Sequence, residues 1–270
     1  MARAASPLEV SPQRIARGLV WDIETSPIIS YNWGIWEQNA IEVIEDYQIL
    51  SIAWQWVGEK KVYCIGQDDF KDYKPGVNND ESVVRELWKL LDECDYAVAH
   101  NGDSFDVKKA NTRFMAYDLP PPSPYKQIDT KKIAKRVSGF TSNRLKDLAR
   151  ELHVAQKGDP GGFATWKGCL AGDKKAWKRM KKYNKQDIPP LMDLYLKFRP
   201  WDNSGFPLNV HEGRPHACPR CGQDTMIKGM KYRATNTNLY QYYRCKDCGG
   251  MAKSRVPEPR QALERMAYVR

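Results

Sequence analysis

Two carboxylates in one short apolar segment, Asp22 and Glu24, are the first residues of this sequence whose types and spacing can do chemistry. The run from Gly18 to Ile23 is otherwise apolar and β-prone, and Ser26-Pro27 ends it, which predicts a buried strand. Alternate side chains of a strand share a face, so the two carboxylates point the same way, roughly 7 Å apart. Burying such a pair is unfavourable unless a cation lies between them, and these oxygen ligands suit Mg²⁺ or Mn²⁺. Two solvated acids at a strand end are the alternative.

A third carboxylate follows the next predicted strand of the same sheet, in the segment Asn101-x-x-x-Phe105-Asp106. Residues 81–93 repeat apolar side chains at helical spacing and lead into Tyr96–Ala99, a short apolar strand. A helix that joins two strands of one sheet implies that the strands are parallel, and the segment with Asp106 follows the end of the second strand. Asp103 is predicted to be the N-cap of the following helix rather than a ligand.

The most informative helix is predicted from Asp173, its expected N-cap, to Asp187. Tyr183 and Asp187 lie four residues apart in its apolar stripe and therefore share the face turned to the core. Lysine and arginine side chains cover the other side. Ile188-Pro189-Pro190 predicts a kink or a restart before a second helix at 191–198, and a cap of that helix is the alternative role for Asp187.

Four of the seven cysteines form two close pairs, Cys218-x-x-Cys221 and Cys245-x-x-Cys248. Paired thiolates at this spacing predict a closed tetrahedral zinc site, structural rather than catalytic, in a reducing compartment. His216 is near enough to substitute for one ligand, although four cysteines suffice. The basic, tyrosine-rich hairpin predicted at residues 230–243 either contacts nucleic acid or covers the small core of the zinc unit.

The net charge of +10 is distributed unevenly along the chain. Residues 1–130 carry 13 Lys and Arg against 21 Asp and Glu, whereas residues 131–182 carry 15 against 4 and residues 214–270 carry 12 against 4. An acidic half that can hold cations, followed by basic segments, indicates a polyanionic partner, with solvated helix faces as the alternative. The sequence contains no run of transmembrane length and no secretory h-region, so a soluble, non-exported protein without membrane contact is expected.

Three strands must position the first two carboxylates. Leu50 to Trp56 alternates large apolar with smaller or polar side chains, and Gly58-Glu59-Lys60 predicts a tight turn into a strand at 61–65. With the first strand these segments predict an antiparallel meander. Trp33 and Trp36, in the aromatic stretch between the first two strands, are expected in the core, with stacking on nucleic-acid bases as the alternative.

The order Asp22-x-Glu24, Asn101-x-x-x-Phe105-Asp106 and Tyr183-x-x-x-Asp187 resembles the DEDD exonuclease superfamily, the proofreading-type (DnaQ-like) nucleases on a ribonuclease H-like fold. The Tyr-x-x-x-Asp form of the third motif marks the DEDDy branch, and the resemblance covers roughly residues 15–200. The chain looks especially similar to exonucleases of tailed bacteriophages that carry a C-terminal zinc ribbon. Asp22-Ile23-Glu24-Thr25-Ser26-Pro27 is typical of them, whereas Pro189-Pro190 departs from their pattern.

The resemblance implies a two-metal site built from four carboxylates. Asp22 would bridge two Mg²⁺ or Mn²⁺ ions, Glu24 and Asp187 would hold the first, and Asp106 would reach the second. Tyr183 would orient the attacking water, so all five residues would be catalytic. Three residues that adjoin the motifs would contact the substrate: Thr25, Asn101 and Phe105.

These observations predict an α/β protein with a ribonuclease H-like mixed sheet flanked by helices, plus a small C-terminal zinc ribbon. The exonuclease domain is expected at residues 15–203 and the ribbon at 214–256, with flexible tails at 1–14 and 257–270. The predicted function is 3′–5′ hydrolysis of single-stranded nucleic acid, DNA rather than RNA, with two Mg²⁺ or Mn²⁺ ions and one structural Zn²⁺. The resemblance implies a cytoplasmic location, that of the host if the chain is phage-encoded. The alternatives are a nucleic-acid-binding module on an inactive nuclease fold and a structure-specific endonuclease.

Overall fold

The structure is a computed structural model, and it describes residues 14–36, 39–77, 79–155, 162–203, 205–235 and 238–258. The two predicted tails lie outside these ranges, except for residues 14, 257 and 258. The chain divides into two compact units: one spans Arg17–Phe198, and the other comprises the chain from Arg199 onward together with its N-terminal end up to Ala16. Among the described residues, no helix is both long and apolar enough to cross a membrane.

The first unit alternates strands and helices along the chain. Its strands are Gly18–Thr25 (β1), Ile29–Tyr31 (β2), Glu42–Glu45 (β3), Ile49–Trp56 (β4), Tyr63–Gly66 (β5), Tyr96–Ala99 (β6) and Lys126–Asp129 (β7). Its helices are Glu81–Glu93 (α1), Asp106–Ala116 (α2), Thr130–Val137 (α3), Leu145–Glu151 (α4), Ala164–Leu170 (α5) and Lys174–Phe198 (α6). This alternation is typical of an α/β fold.

A five-stranded mixed sheet forms the centre of this unit, in the order β5-β4-β1-β6-β7. Strands β5, β4 and β1 are antiparallel neighbours, so the predicted meander is confirmed. Gly58 makes the turn after β4 with a φ of 94°. Strand β6 pairs parallel with β1, and β7 pairs parallel with β6, so the predicted helix crossover is confirmed. The mixed sheet flanked by helices is therefore the fold class that the sequence predicted.

The two faces of the sheet are covered by different helices. Trp21 and Ile23 pack with α1 and α2 in one core cluster. On the other face, the buried amide of Asn184 in α6 donates to Oγ of Ser51 at 2.9 Å, and Ser51 lies opposite Glu24 in the β1–β4 pairing. Because alternate strand residues point to opposite faces, the acidic pair of β1 lies on the face that α6 covers.

A buried ion pair ties two of the helices to the sheet. Asp80, at the N-cap position of α1, is 1% exposed and pairs with Arg113 of α2. It also accepts hydrogen bonds from the Tyr117 hydroxyl and from the backbone N–H of Ile49, each at 2.7 Å. Removing either charge would leave the other buried and unpaired, which is strongly destabilising. Asp80 therefore fixes the start of β4 relative to α2, the helix that begins at Asp106.

Helix α6 corrects one expectation from the sequence. It continues from Lys174 to Phe198 with Pro189 and Pro190 inside it, so of the two expected outcomes, a kink or a restart, the restart is wrong, and with it the capping role for Asp187. Two prolines remove two backbone donors from the helix. The surrounding face is nevertheless buried, including Ile188 and Leu191, and this packing holds the helix together across the prolines. Asp173 caps the helix as predicted, because its Oδ1 accepts from the backbone N–H of residue 175 at 2.8 Å.

A separate two-stranded sheet of β2 and β3 follows β1, and the sequence analysis did not predict it. Its base is closed by the backbone N–H of Ser26, which donates to the Gln48 carbonyl at 2.9 Å. Trp33 and Trp36, in the connection between the two strands, are each 87% exposed, so the expectation that they pack in the core is wrong. A two-stranded ribbon has no second layer of structure in which to bury such side chains.

The second unit contains Leu208–His211 (α7) and three strands, Met226–Ala234 (β8), Leu239–Cys245 (β9) and Met251–Lys253 (β10). The strands form an antiparallel sheet in the order β10-β9-β8. Tyr232 of β8 is 48% exposed, and the Lys253 ammonium lies 4.1 Å from the ring centre of Tyr240. The predicted hairpin at 230–243 therefore exists in the described part of that segment, which excludes residues 236 and 237.

Candidate functional site

Three carboxylates from two elements converge on one face of the central sheet. One ligand atom from each of Asp22, Glu24 and Asp187 lies within 4.8 Å of the other two. Asp22 and Glu24 alternate along β1, and Asp187 projects from the buried face of α6, where it is 1% exposed. The structure thus brings together three of the four carboxylates that the sequence singled out.

Asp106 lies beside β1 but outside this group of three. It is the first residue of α2 and 2% exposed, and its Oδ1 accepts a hydrogen bond from the backbone N–H of Ile23 at 3.3 Å. Ile23 stands between Asp22 and Glu24, so the fourth carboxylate is held against the strand segment that carries the other two. Burial raises the pKa of Asp106 to about 7, against the lowering effect of the hydrogen bond from Ile23.

The loop before Asp106 is organised by Asp129, a residue that the sequence analysis missed. Asp129 ends β7, is 6% exposed, and accepts from the backbone N–H groups of Asn101 at 3.0 Å and Lys131 at 2.9 Å. It is also the N-cap of α3, and an Asp directly before a basic helix is the signal that could have identified it. Asn101 has a φ of 70°, in the left-handed region that asparagine tolerates better than most residues.

Basic side chains of α3 hold the same loop. The Lys131 ammonium donates to Oδ1 of Asn101 at 3.1 Å, and Lys132 forms an ion pair with Asp103 at 2.5 Å. The predicted capping role of Asp103 is wrong, because the N-cap of α2 is Phe105, which makes no side-chain cap. A nearby ammonium ion offers the Asp103 carboxylate a charge-assisted hydrogen bond, which is stronger than one from a neutral backbone N–H.

Tyr183 lies one helical turn before Asp187 on α6 and is 8% exposed. Its ring meets the ring of Trp166 edge-on, with 6.2 Å between ring centres and 66° between ring planes. Trp166 belongs to α5, and the sequence analysis missed it because a lone aromatic residue in a basic segment has no periodic signal. The contact restricts the orientation of the Tyr183 ring.

Two of the predicted substrate contacts flank the carboxylates. Thr25 ends β1, where the pairing with β4 becomes irregular between Glu24 and Thr25. Phe105 directly precedes Asp106, is 39% exposed, and has the Lys109 ammonium 5.3 Å from its ring centre. An exposed aromatic ring beside buried carboxylates can stack on a nucleic-acid base.

The donor set of the three-carboxylate group fits a hard divalent cation. Every available ligand atom is a carboxylate oxygen, the type of ligand preferred by Mg²⁺ and Mn²⁺. Three carboxylates within 4.8 Å repel one another when all are ionised, and a bound cation would offset that repulsion.

A second group of potential metal ligands lies in the second unit. The Gly222 N–H donates to the Cys218 carbonyl at 2.9 Å, and the Gly249 N–H donates to the Cys245 carbonyl at 3.0 Å. Both glycines have a φ of 74°, which a residue with a side chain rarely adopts, so each Cys-x-x-Cys pair ends in an equivalent tight turn. His216 is exposed and does not belong to the group. The ligand atoms that lie within 4.8 Å of one another are the sulfur atoms of Cys218, Cys221, Cys245 and Cys248.

Comparison with known proteins was made for sequence and for structure. No curated protein sequence matches the chain. Among solved structures, the chain is similar to the family B DNA polymerase from the hyperthermophilic archaeon Pyrobaculum calidifontis, with 13% sequence identity and a TM-score of 0.48. The similarity covers 85% of this chain and 33% of the polymerase, so the chain spans about a third of that protein's length.

A family match covers most of the first unit. It takes in residues 56–198, which contain Asp106, Tyr183 and Asp187 and begin after the strand that carries Asp22 and Glu24. The family is described as the RNase H superfamily. Because the matched segment is more than half of the 270 residues, the chain belongs to the RNase H superfamily.

Proposed function

We propose that the chain is a metal-dependent 3′–5′ exonuclease of the DEDDy type, acting on single-stranded nucleic acid, with DNA preferred to RNA. The observation that carries this proposal is the convergence of Asp22, Glu24 and Asp187 within 4.8 Å in a chain of the RNase H superfamily. The 3′–5′ direction rests on the resemblance of the three motifs to the DEDDy nucleases, because the carboxylates alone do not define polarity.

The carboxylates would hold two Mg²⁺ or Mn²⁺ ions. Asp22 would contact both ions, Glu24 and Asp187 would hold the first, and Asp106 would hold the second, directly or through water. When bound, two such ions stabilise the incoming and leaving oxygens of an in-line phosphodiester displacement. The protein supplies the fixed arrangement, because β1 and α6 carry the ligands on elements locked by buried packing.

Tyr183 would orient the attacking water through its hydroxyl group. It precedes Asp187 by one turn on the same helix face, and its ring is braced by Trp166. Thr25, Asn101 and Phe105 would contact the substrate, Phe105 through its exposed ring.

We also propose that the second unit is a zinc ribbon at residues 214–256, attached to an exonuclease domain at 15–203. Its four cysteines would hold one Zn²⁺ in a closed tetrahedral site, which stabilises the ribbon and takes no part in hydrolysis. Residues 214–270 carry 12 Lys and Arg against 4 Asp and Glu, so the ribbon would add affinity for nucleic acid.

The function is tested with 5′-labelled single-stranded DNA and RNA of one sequence, incubated in Mg²⁺, Mn²⁺ or EDTA. Stepwise shortening from the 3′ end is expected with either metal and not in EDTA. Asp22→Ala, Asp106→Ala and Asp187→Ala should each lower the single-turnover rate by about 1,000-fold or more. Asp103→Ala is the matched control, because Asp103 is an acid of the same loop as Asp106 that pairs with Lys132, and it should keep the wild-type rate.

Three other outcomes would contradict the proposal. Activity near wild type after substitution of the three aspartates would remove the assigned site. Cleavage of circular single-stranded DNA would indicate the endonuclease alternative. Tight binding with no hydrolysis in either metal would indicate a binding module on an inactive nuclease fold.

A further inference from the structure

One row of side chains on α6 connects the protein surface with the carboxylate group. Lys175, Arg179, Tyr183 and Asp187 follow one another at intervals of four residues. Side chains four apart in an α-helix lie in one inclined row, and this row extends about 18 Å along the axis. The first two side chains are exposed, whereas Tyr183 and Asp187 are 8% and 1% exposed. The row therefore passes from solvent into the site.

Helix α5 lies against α6 and adds aromatic side chains next to this row. An added Cβ at Gly168 of α5 would lie 2.5 Å from the Ala176 side chain, so only glycine permits this close packing. Trp166 of α5 touches Tyr183, and Phe163, at the start of α5, is 59% exposed. The Lys167 ammonium lies 5.9 Å from the Phe163 ring centre. Helix α5 therefore carries an exposed aromatic ring with a cation beside it, and α6, which packs against α5, carries two further exposed cations.

The charges of this row are available for a ligand. On another side of α6, Lys181 forms ion pairs with Asp68 at 2.9 Å and with Asp69 at 2.7 Å. Within the part of the chain that the structure describes, neither Lys175 nor Arg179 forms a salt bridge with a carboxylate. Two exposed cations that lead toward a metal-ligating carboxylate are complementary to a polyanion.

We propose that this surface is the path by which single-stranded nucleic acid reaches the carboxylates, with phosphates on Lys175 and Arg179 and a base stacked on Phe163. The proposal rests on the proposed function and names the surface that selects the substrate. A stacked base requires an unpaired strand, because the bases of a duplex present their faces only to one another. The path therefore favours single strands over duplexes.

The test compares two double variants of the full-length chain. Lys175→Glu/Arg179→Glu reverses the charges of the row, and Arg85→Glu/Lys89→Glu is the matched control. The control pair is also one Arg and one Lys four residues apart on an exposed helix face, on α1, which packs on the other face of the sheet. Unlike the row, it forms surface ion pairs with Glu81 and Glu86, so its folding is verified separately. The affinity for a short labelled single-stranded oligonucleotide is measured over a series of salt concentrations in buffer without added Mg²⁺ or Mn²⁺, so that no hydrolysis interferes, and without a chelator, so that the proposed zinc site is left intact.

The row variant should bind about tenfold more weakly or worse, and the slope of log affinity against log salt should fall by about 1.4, since each phosphate contact to a single strand contributes about 0.7. The control variant should keep the wild-type affinity and slope. Thermal unfolding of both variants verifies folding, and Lys175→Gln/Arg179→Gln replaces the row variant if the reversal unfolds the protein.

A third variant, Phe163→Ala, tests the base contact separately. It should weaken single-strand binding by about fivefold or more, because stacking on an aromatic side chain is lost. Its salt slope should not change, because no phosphate contact is removed, and its affinity for a duplex should equal that of the wild type.

Equal affinities and slopes for the row variant and its control would overturn the path. An equal loss of affinity for single strands and duplexes in the row variant, with Phe163→Ala unchanged, would overturn the assignment to single strands. Because binding is measured without hydrolysis, failure of the path leaves the exonuclease proposal standing. If the wild type did not hydrolyse nucleic acid, the exonuclease proposal would fail, and the binding measurements would still test the path.

Discussion

The Tyr183 hydroxyl is the smallest group on which the proposed chemistry depends. Tyr183→Phe keeps the ring that contacts Trp166 and removes only the oxygen. We expect the single-turnover rate at saturating substrate to fall by about 10- to 1,000-fold, with little change in affinity, because the hydroxyl acts on the transition state. Tyr195→Phe, a buried tyrosine on the same helix, is the control and should keep the rate. An unchanged rate in Tyr183→Phe would make this residue part of the core only.

The buried Asp106 carboxylate predicts a pH dependence of stability in the absence of metal. Burial raises its pKa from the ordinary 3.8 to about 7, so the folded state binds the proton more tightly than the unfolded chain. The stability contribution is complete below about pH 4 and is lost as the pH rises to about 7, by roughly 2–4 kcal/mol. Denaturant unfolding in EDTA across this range should show that fall in the wild type and a flatter profile in Asp106→Asn. Parallel profiles for the two proteins would show that Asp106 is not the group that titrates.

The sequence predicted site residues that lie close together along the chain, but it did not predict contacts between distant segments. Asp22 and Glu24 could be identified as a pair because a strand places alternate residues on one face. Asp187 followed from the helical spacing of its neighbours. Asp129 and Trp166 went unnoticed, because their importance lies in contacts with residues 101 and 183, which no local pattern encodes.

At the scale of elements, the hydrogen bond between Asn184 and Ser51 fixes α6 against β4. Asn184 is fully buried, and its amide donates to the backbone carbonyl of Ser51 at 3.3 Å and to Oγ at 2.9 Å. Asn184→Ala should lower the free energy of unfolding by about 2–3 kcal/mol, because it leaves a cavity and buried acceptors without their donor. Gln186→Ala, two residues away on the exposed side, should change it by less than about 0.5 kcal/mol.

The measurement is denaturant unfolding of both variants, together with the hydrolysis rate. Asn184 lies between Tyr183 and Asp187, so a shift of α6 in the Asn184→Ala variant should also displace these two residues. The hydrolysis rate of this variant should therefore fall by more than its loss of stability accounts for. Equal stabilities of the two variants would mean that the other contacts of α6 hold it in place.

Periodicity predicted β4 and α1, whereas β1 and β6 were predicted as short apolar runs, which is the pattern of strands buried on both faces. The antiparallel meander and the parallel pairing of β6 followed from two general constraints: tight turns join antiparallel neighbours, and helix crossovers join parallel strands. The full order of the five strands was not predicted. Two expectations were wrong for physical reasons. Local rules predicted a kink or a restart at Pro189-Pro190, and the restart is absent because burial of the same face carries the helix on to Phe198. Hydrophobicity predicted Trp33 in the core, but Trp33 lies in the connection of a separate two-stranded sheet and is 87% exposed.

At the scale of the whole molecule, chemistry and extra affinity are expected to be separable. The central sheet and the three converging carboxylates all belong to Arg17–Phe198. A chain ended after Asn203 should therefore fold and keep its single-turnover rate at saturating substrate. It should bind nucleic acid more weakly and with a smaller salt slope, because the removed segment contains the basic residues of 214–270.

The truncated and full-length chains are compared by oligonucleotide binding at several salt concentrations. Identical affinity and slope would assign the second unit to structural support or to a protein partner. Full-length protein with Cys218→Ser is a complementary control, because it removes one of the four proposed zinc ligands without shortening the chain.

The exposed connection between β2 and β3 also gives the protein a natural optical probe. Of its nine tryptophans, Trp33 and Trp36 are 87% exposed, whereas Trp21 and Trp177 are 1% exposed. A neutral collisional quencher such as acrylamide reaches the first pair in the folded protein and reaches the second pair only after unfolding. A Trp201→Phe background removes another exposed indole, so that the readily quenched emission comes mainly from the hairpin, with smaller contributions from the half-buried Trp54, Trp88 and Trp166. Protection of this emission would report on a ligand that covers the hairpin. The emission that resists quenching would follow the core in the same sample.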